Sequence, residues 1–419
     1  MVLYALTISL SAFLLFQVQP VIAKMILPWF GGTSAVWSTC MLFFQMVLLL
    51  GYLYAHWLQT LRPRLQATAH TVLLAVSLIS SVADTRVSGP YASTSQRVPL
   101  KVFTDVGLSA QQIAAIDAGR PVAKVLSWGG PSEVYVFGAV HIDGAPDLYL
   151  KAARDVGRLS GTPGYQGVGE IRENATAADL NALALDPDDV KALKNCREGS
   201  CDVQLPTNAI QAFHDGVIWS RPDAAEQANA LARPRVLELV QAYQRGGNAA
   251  LGEYRDKEKP ARVAEQFQTM IDRASVLPDV LPELRRYVLE YPNARLADSD
   301  SVFYWEKVTF GLKPTIRVNH AVFYRGRTQS RDVGVVAIKQ LYATHYFHTA
   351  LDLSVTVDDG TSAGPGGFYL VTLKGSQQEG LTGVKGSMLR KIVVDKTRSS
   401  LESALAAIKR AVEQSAPRR

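Results

Sequence analysis

Hydrophobic positions fall along this 419-residue chain in two regimes. Over residues 1–83 they form three long apolar runs, about Val2–Ala23, Val36–Trp57 and Ala67–Ala83. The first two leave no polar face, so each reads as a helix apolar all round rather than as an amphipathic one. A bilayer core takes roughly 20 helical residues. The first two runs reach that length and the third, at 17 residues, barely does. Trp29, Trp37, Tyr52, Tyr54 and Trp57 stand at the edges of the runs, as an interfacial aromatic belt does. Two or three transmembrane helices are therefore expected at the N-terminus.

Beyond residue 84 the pattern changes. Asp84–Pro99 is polar and rich in turn residues, and residues 84–114 read as a linker. Strands are predicted near Ala123–Leu126 and Glu133–Ile142, then a helix near Asp147–Val156. Helical pieces follow over Ala175–Leu193, Asp223–Arg245, Pro260–Ala274, Leu281–Glu290 and Ser299–Val308. The C-terminal part is strand-rich, over Thr315–Tyr324, Gly334–Phe347, Asp352–Val357 and Gly367–Leu373, each dense in β-branched and aromatic residues. A last helix is expected over about 400–415. Ser399 and Glu402 have the spacing of a capping box, and Leu401, Leu405, Ile408 and Val412 make one apolar stripe.

Charge sharpens the division. Residues 1–83 carry only Lys24, Arg62 and Arg64, with no carboxylate, while the whole chain has 44 Lys plus Arg and 38 Asp plus Glu. The positive-inside rule places the Arg62/Arg64 loop in the cytoplasm. The N-terminus is then cytoplasmic and the large domain extracytoplasmic, at a bacterial inner membrane. Arg62, Arg64, the short apolar centre and the small residues Ser81 and Ala83 also fit a signal peptide. Either reading exports the rest of the chain.

The stretches Phe13–Pro20, Ala23–Gly32 and Ala35–Trp37 resemble the opening helices of bacterial fused transporter-like/spermidine-synthase-like membrane proteins. The resemblance covers about residues 5–60. No glycine-rich dinucleotide turn follows a strand here, so aminopropyl transfer is not carried over. Residues 115–415 resemble an uncharacterised group of bacterial exported proteins. The order strand, helix, helical insertion, antiparallel strands and amphipathic C-terminal helix resembles the START-like helix-grip pattern. Val136–Pro146 matches its first strand and helix, and Gly366–Val371 its last strand. That resemblance implies an α+β domain over 115–419, a helical insertion over about 157–310, and an apolar cavity between a curved sheet and the last helix.

Candidate chemistry is sparse. Gly360–Gly364 matches G-x-S-x-G, but a strand rather than a helix follows Ser362, so a hairpin loop is expected. His345 and His348 are three apart on a predicted strand and point to opposite faces, which disfavours joint metal binding. No metal, cofactor or catalytic residue is assigned. If the cavity exists, His320, Tyr342, His345, Tyr346 and Tyr369 are the polar groups expected to orient a ligand. Cys196 and Cys201 read as a disulfide closing a short loop in an exported domain, with free thiols the alternative. Residues 385–419 hold nine basic residues against three carboxylates. Arg390, Lys391, Lys396, Arg398, Lys409 and Arg410 are candidates for contact with anionic headgroups, the alternative being an ordinary solvated helix face. Nucleic acid is disfavoured as a partner by the exported placement. The leading expectation is a membrane-anchored protein that binds a hydrophobic or lipid-like ligand. An enzyme acting on such a ligand and an interaction module with a filled core are the other two.

Overall fold

The computed structural model describes residues 101–273, 282–309, 313–327, 332–360, 366–378, 380–381 and 383–415, with Gln45, Met46, Leu49, Leu53 and His56. The chain forms two compact units, Met1–Thr94 and Ser95–Arg419. In the first, the five described residues are helical, and Met46, Leu49 and Leu53 are exposed. Among the described residues no helix is long and apolar enough to cross a membrane. This corrects the expected fold class, which began with transmembrane helices. The described residues form an α+β fold built on one large antiparallel sheet. The remainder of the three apolar runs, and the signal-peptide alternative for the third, lie outside the described residues.

The second unit opens with α1 (Lys101–Asp105) and α2 (Ala110–Asp117), followed by β1 (Val122–Leu126), β2 (Glu133–Asp143) and α3 (Pro146–Arg154). After β3 (Tyr165–Ile171) come α4 (Pro187–Leu193), α5 (Thr207–Gly216) and α6 (Ala224–Gly246). A 3-10 turn over Gly247–Leu251 leads to a small ribbon of β4 (Glu253–Tyr254) and β5 (Ala261–Arg262), then α7 (Val263–Arg273) and α8 (Pro282–Glu290). The chain closes with β6 (Ser299–Val308), β7 (Thr315–Arg327), β8 (Asp332–Ala343), β9 (Phe347–Asp358), β10 (Gly367–Gln378) and α9 (Gly383–Ser415).

Eight strands make one sheet in the order β1-β2-β10-β9-β8-β7-β6-β3, with antiparallel neighbours throughout. Both faces are covered. Val136, Val140, Phe368 and Leu370 pack under α3 and α9. On the opposite face Phe137, Val335, Tyr369 and Val371 pack under α1, α2, α7 and α8. That second face continues through Phe303, Ile316 and Val318 to α6. Such double coverage explains why β2 is buried from Glu133 to Ile142 instead of alternating.

Several expectations are corrected here. Residues 101–114 are not linker: Phe103 of α1 and Ile116 of α2 are fully buried, and Ser109 and Gln112 form a capping box at the start of α2. The insertion is shorter than 157–310, because β3 and β6 pair with each other inside the sheet and only 172–298 loops out. Ser299–Val308 is a strand, not a helix. Its core, Val302–Glu306, is buried on both sides, so no alternation marked it as one. The strand expected over Gly334–Phe347 breaks after Ala343, and Tyr346, at φ 64°, turns the chain into β9. The last helix starts at Gly383, not near 400. Ser399 lies inside it and donates its Oγ proton to the Lys396 carbonyl at 3.2 Å rather than capping anything.

Where α9 crosses β2 the contact is direct. A Cβ on Gly138 would stand 2.7 Å from Leu401 Cδ2 and 2.9 Å from Leu405 Cδ1. The void expected beneath the last helix is therefore filled at this crossing. Glycine at 138 permits the close approach.

Candidate functional site

An apolar cavity lies on the opposite face of the sheet, between the insertion and β7–β8. It has a volume of about 380 Å³, is open to solvent on one side and is walled by branched aliphatic side chains including Leu183, Leu185, Leu193, Val236, Leu251 and Leu341. The walls come from separate segments, and polar pins outside the cavity hold them in register. Asn229 Oδ1 accepts from the Leu185 amide at 2.7 Å, and Arg233 Nε donates to the Leu183 carbonyl at 2.9 Å. Both pins belong to α6, whose apolar residues Ala232 and Val236 face the cavity. Arg235 and Glu238, paired at 2.9 Å and partly exposed, also border it.

Polar side chains contribute to the lining as well, beginning with a pair of tyrosines. Tyr254, Tyr342 and Thr344 line the cavity, with the two tyrosine rings 6.1 Å apart. Tyr342 donates its hydroxyl proton to the Gln204 carbonyl at 2.9 Å, and Tyr254 Oη accepts from the Ala343 amide at 3.4 Å. Burial holds both phenols well above their ordinary range, so they are neutral at physiological pH. Next along the chain, His345 Nε2 meets Asp189 Oδ1 at 2.8 Å, with both side chains buried. Asp189 sits in the first turn of α4 and faces inward.

The five expected ligand-orienting residues do not share one cavity. Tyr342 lines it, and His345 and Tyr346 follow in the adjoining turn, where Tyr346 Oη accepts from the Lys313 amide at 3.1 Å. Tyr369 lies in the core under α1 and α2. Its ring is edge-on to Phe103, and its hydroxyl donates to Asp117 at 2.7 Å. His320 is separate again, stacked on Phe303 at 4.3 Å. His348 does not join His345 in a pair. It faces Tyr254 at 6.0 Å, and burial, helped by Lys257, pulls its pKa down to about 4. Among the described residues no cluster of three or more His, Cys, Asp or Glu is placed to hold a metal. Ser362 of the G-x-S-x-G match lies outside the described residues.

One feature beside the cavity escaped the sequence reading. Lys339 is 2 % exposed in the middle of β8. Its Nζ donates to Tyr243 Oη at 3.2 Å, to the Val288 carbonyl at 3.4 Å and to Asn248 Oδ1. The same nitrogen lies 4.3 Å from the Phe267 ring centre. Burial lowers its pKa to about 7. Tyr243 links this group to His320, whose Nδ1 is 3.3 Å from the tyrosine hydroxyl. The signal was a single lysine interrupting the run Val333–Leu341.

Cys196 and Cys201 are joined by a disulfide within the cluster that also contains the cavity residues Leu193 and Val203. Of the six basic residues singled out on α9, two turn inward. Arg390 Nη1 donates to the Pro131 carbonyl at 2.6 Å, and Lys409 Nζ donates to the His141 carbonyl at 3.1 Å and to Glu413. Lys391, Lys396, Arg398 and Arg410 are exposed.

No family model, curated protein or solved structure matches this chain. The cavity is accordingly judged on its own chemistry. Its size falls within the range of small-molecule pockets, and its aliphatic walls carry a minority of polar side chains, Tyr254, Tyr342 and Thr344 with Asn208, Arg235, Glu238 and Glu253, as sites that orient a largely apolar ligand do.

Proposed function

We propose that this protein is an exported binding protein that holds a hydrophobic, lipid-like molecule between its insertion and its sheet. The observation that carries the reading is the largely aliphatic cavity of about 380 Å³ with Tyr254, Tyr342 and Thr344 in its lining. Burying the apolar part of a ligand against leucine and valine walls supplies affinity at roughly 25 cal/mol per Å² of apolar surface. Both tyrosines are protonated; Tyr342 gives its hydroxyl hydrogen to the Gln204 carbonyl, and the hydroxyl hydrogen of Tyr254, whose oxygen accepts from the Ala343 amide, is the one a ligand oxygen would take. Export is part of the proposal, because a structural disulfide such as Cys196–Cys201 persists in oxidising compartments. Lys391, Lys396, Arg398 and Arg410 are the exposed cations through which α9 would meet an anionic bilayer surface.

The test is native mass spectrometry and lipid extraction on the full chain purified from an oxidising compartment. The wild-type protein is expected to carry a co-purifying apolar molecule. Ala232→Trp, which fills the cavity from α6, is expected to fold and to carry none. A wild-type protein with no bound molecule, and no thermal shift across a panel of neutral lipids, defeats the reading.

A further inference from the structure

The cavity shares a wall with the Lys339 cluster. The 3-10 turn Gly247–Leu251 contributes Ala250 and Leu251 to the cavity lining. From the same turn Asn248 accepts a hydrogen bond from Lys339 through Oδ1, and its Nδ2 donates to the Leu289 carbonyl at 2.8 Å. On β8, Lys339 stands two residues before Leu341, which also lines the cavity. One short turn thus faces the ligand space on one side and a buried amine on the other.

The groups around Lys339 are matched to its charged form. Tyr243 faces it from α6, Asn248 from the turn, the Val288 carbonyl from α8 and the Phe267 ring from α7. His320 approaches from the neighbouring strand β7, and Tyr287 and Tyr291 pack on that histidine. None of these groups is a carboxylate. An ammonium has three N–H donors and no lone pair, so it satisfies the three oxygens of Tyr243, Asn248 and Val288 together. A free amine has two donors and a lone pair, and one oxygen would then face that lone pair. Tyr243 can relieve the clash by turning its proton toward the amine. His320 can answer by taking the tautomer with its proton on Nδ1, so the amine keeps two N–H bonds, to Asn248 and the Val288 carbonyl, but without the charge assistance that makes such bonds roughly twice as strong.

We propose that the protonation state of Lys339 regulates ligand binding in the cavity, the ammonium holding the 247–251 turn firmly in its binding position and the free amine holding it less tightly. The inference rests on the cavity reading above. With Lys339 pulled down to about 7 by burial, the change falls near neutral pH. His320 is held down at about 3 by burial and by Lys339 and stays neutral across that range, while burial keeps Tyr243 protonated. Lys339 is therefore the group in this cluster that titrates there.

The experiment follows binding of N-phenyl-1-naphthylamine, an apolar dye uncharged near neutral pH, to the full chain by fluorescence. Affinity is measured from about pH 6 to about pH 8.5, spanning the titration. The wild-type protein is expected to bind the dye about fivefold more weakly at the upper end, a modest coupling for two linked sites. Asn248→Ala, which keeps the lysine but frees the turn, is expected to bind with a flat profile, as is Lys339→Met. Neither residue lines the cavity. Dye binding with no pH dependence in the wild type overturns this inference and leaves the cavity reading standing. So does a dependence that persists in Asn248→Ala or in Lys339→Met. Failure to bind at any pH, together with no co-purifying molecule, removes both.

Discussion

Lys339 also makes a statement about stability. Its folded pKa of about 7 lies below the roughly 10.4 of an unfolded lysine, so the unfolded state binds more protons between those values. Stability attributable to this residue therefore rises as pH increases from about 7 toward about 10, and is at its lowest, and flat, below the folded pKa. Lys339→Met removes the buried amine and keeps an unbranched apolar chain. The variant is expected to melt higher than the wild type at neutral pH, with the gap closing toward pH 10, as thermal denaturation at stepped pH would show. An unchanged gap would mean that the amine is not desolvated in the native state. At this scale the sequence was half legible. Tyr342 could be picked out because it lies on an aromatic-rich strand. The cavity walls could not, since Leu183, Val236, Leu251 and Leu341 come from segments far apart in the chain and look like any other core leucine or valine. His320 was legible as an isolated polar residue on a strand, but its partners Tyr243 and Tyr291 arrive from the insertion.

Among the elements, α9 shows what a stripe can and cannot reveal. Leu401, Leu405 and Val412 are all buried on the sheet, as their spacing requires. Among the described side chains of the first half, Val393 and Val394 are the partly buried apolar pair on the sheet, and they are adjacent rather than three or four apart, so no stripe marks this half in the sequence. Leu405→Ala would open a gap against Gly138 and is expected to cost about 2–5 kcal/mol in a denaturant melt. A loss below 1 kcal/mol would show the helix to be loosely held. Strand β6 failed to be read for the opposite reason. Both its faces are covered, by Val302 and Tyr304 on one side and Phe303 and Trp305 on the other, so the period of two is erased. Helix α2 is the converse case: its Ser109–Gln112 box was present in the sequence, inside a stretch whose composition resembled a linker.

For the molecule as a whole, the insertion is what makes a cavity possible. It leaves the sheet after Ile171 and returns through β6, whose Phe303 pairs with Ile171, so both its ends lie at one edge. Between them it carries α4–α8, the disulfide and most of the cavity wall. Replacing both Cys196 and Cys201 with serine is expected to cost about 2 kcal/mol, the loop-entropy value for so short a ring. Chemical denaturation with and without reductant measures this directly: the reductant should destabilise the wild type by that amount and leave the variant unchanged.

The pairing of β2 with β10 has a consequence for how the protein is made. These partners are separated by roughly 230 residues of chain, so at usual synthesis rates β2 waits roughly 10–50 s for its neighbour. Between Glu133 and Asp143 it contains no Asp, Glu, Lys or Arg. One edge is taken early by β1, and the other is a bare row of amide and carbonyl groups on a nearly uncharged ribbon. Every nascent copy on a polysome presents that same adhesive edge to its neighbours, and only arrival of the last strand withdraws it. Anything that covers β2 during that interval is therefore expected to favour correct folding over association.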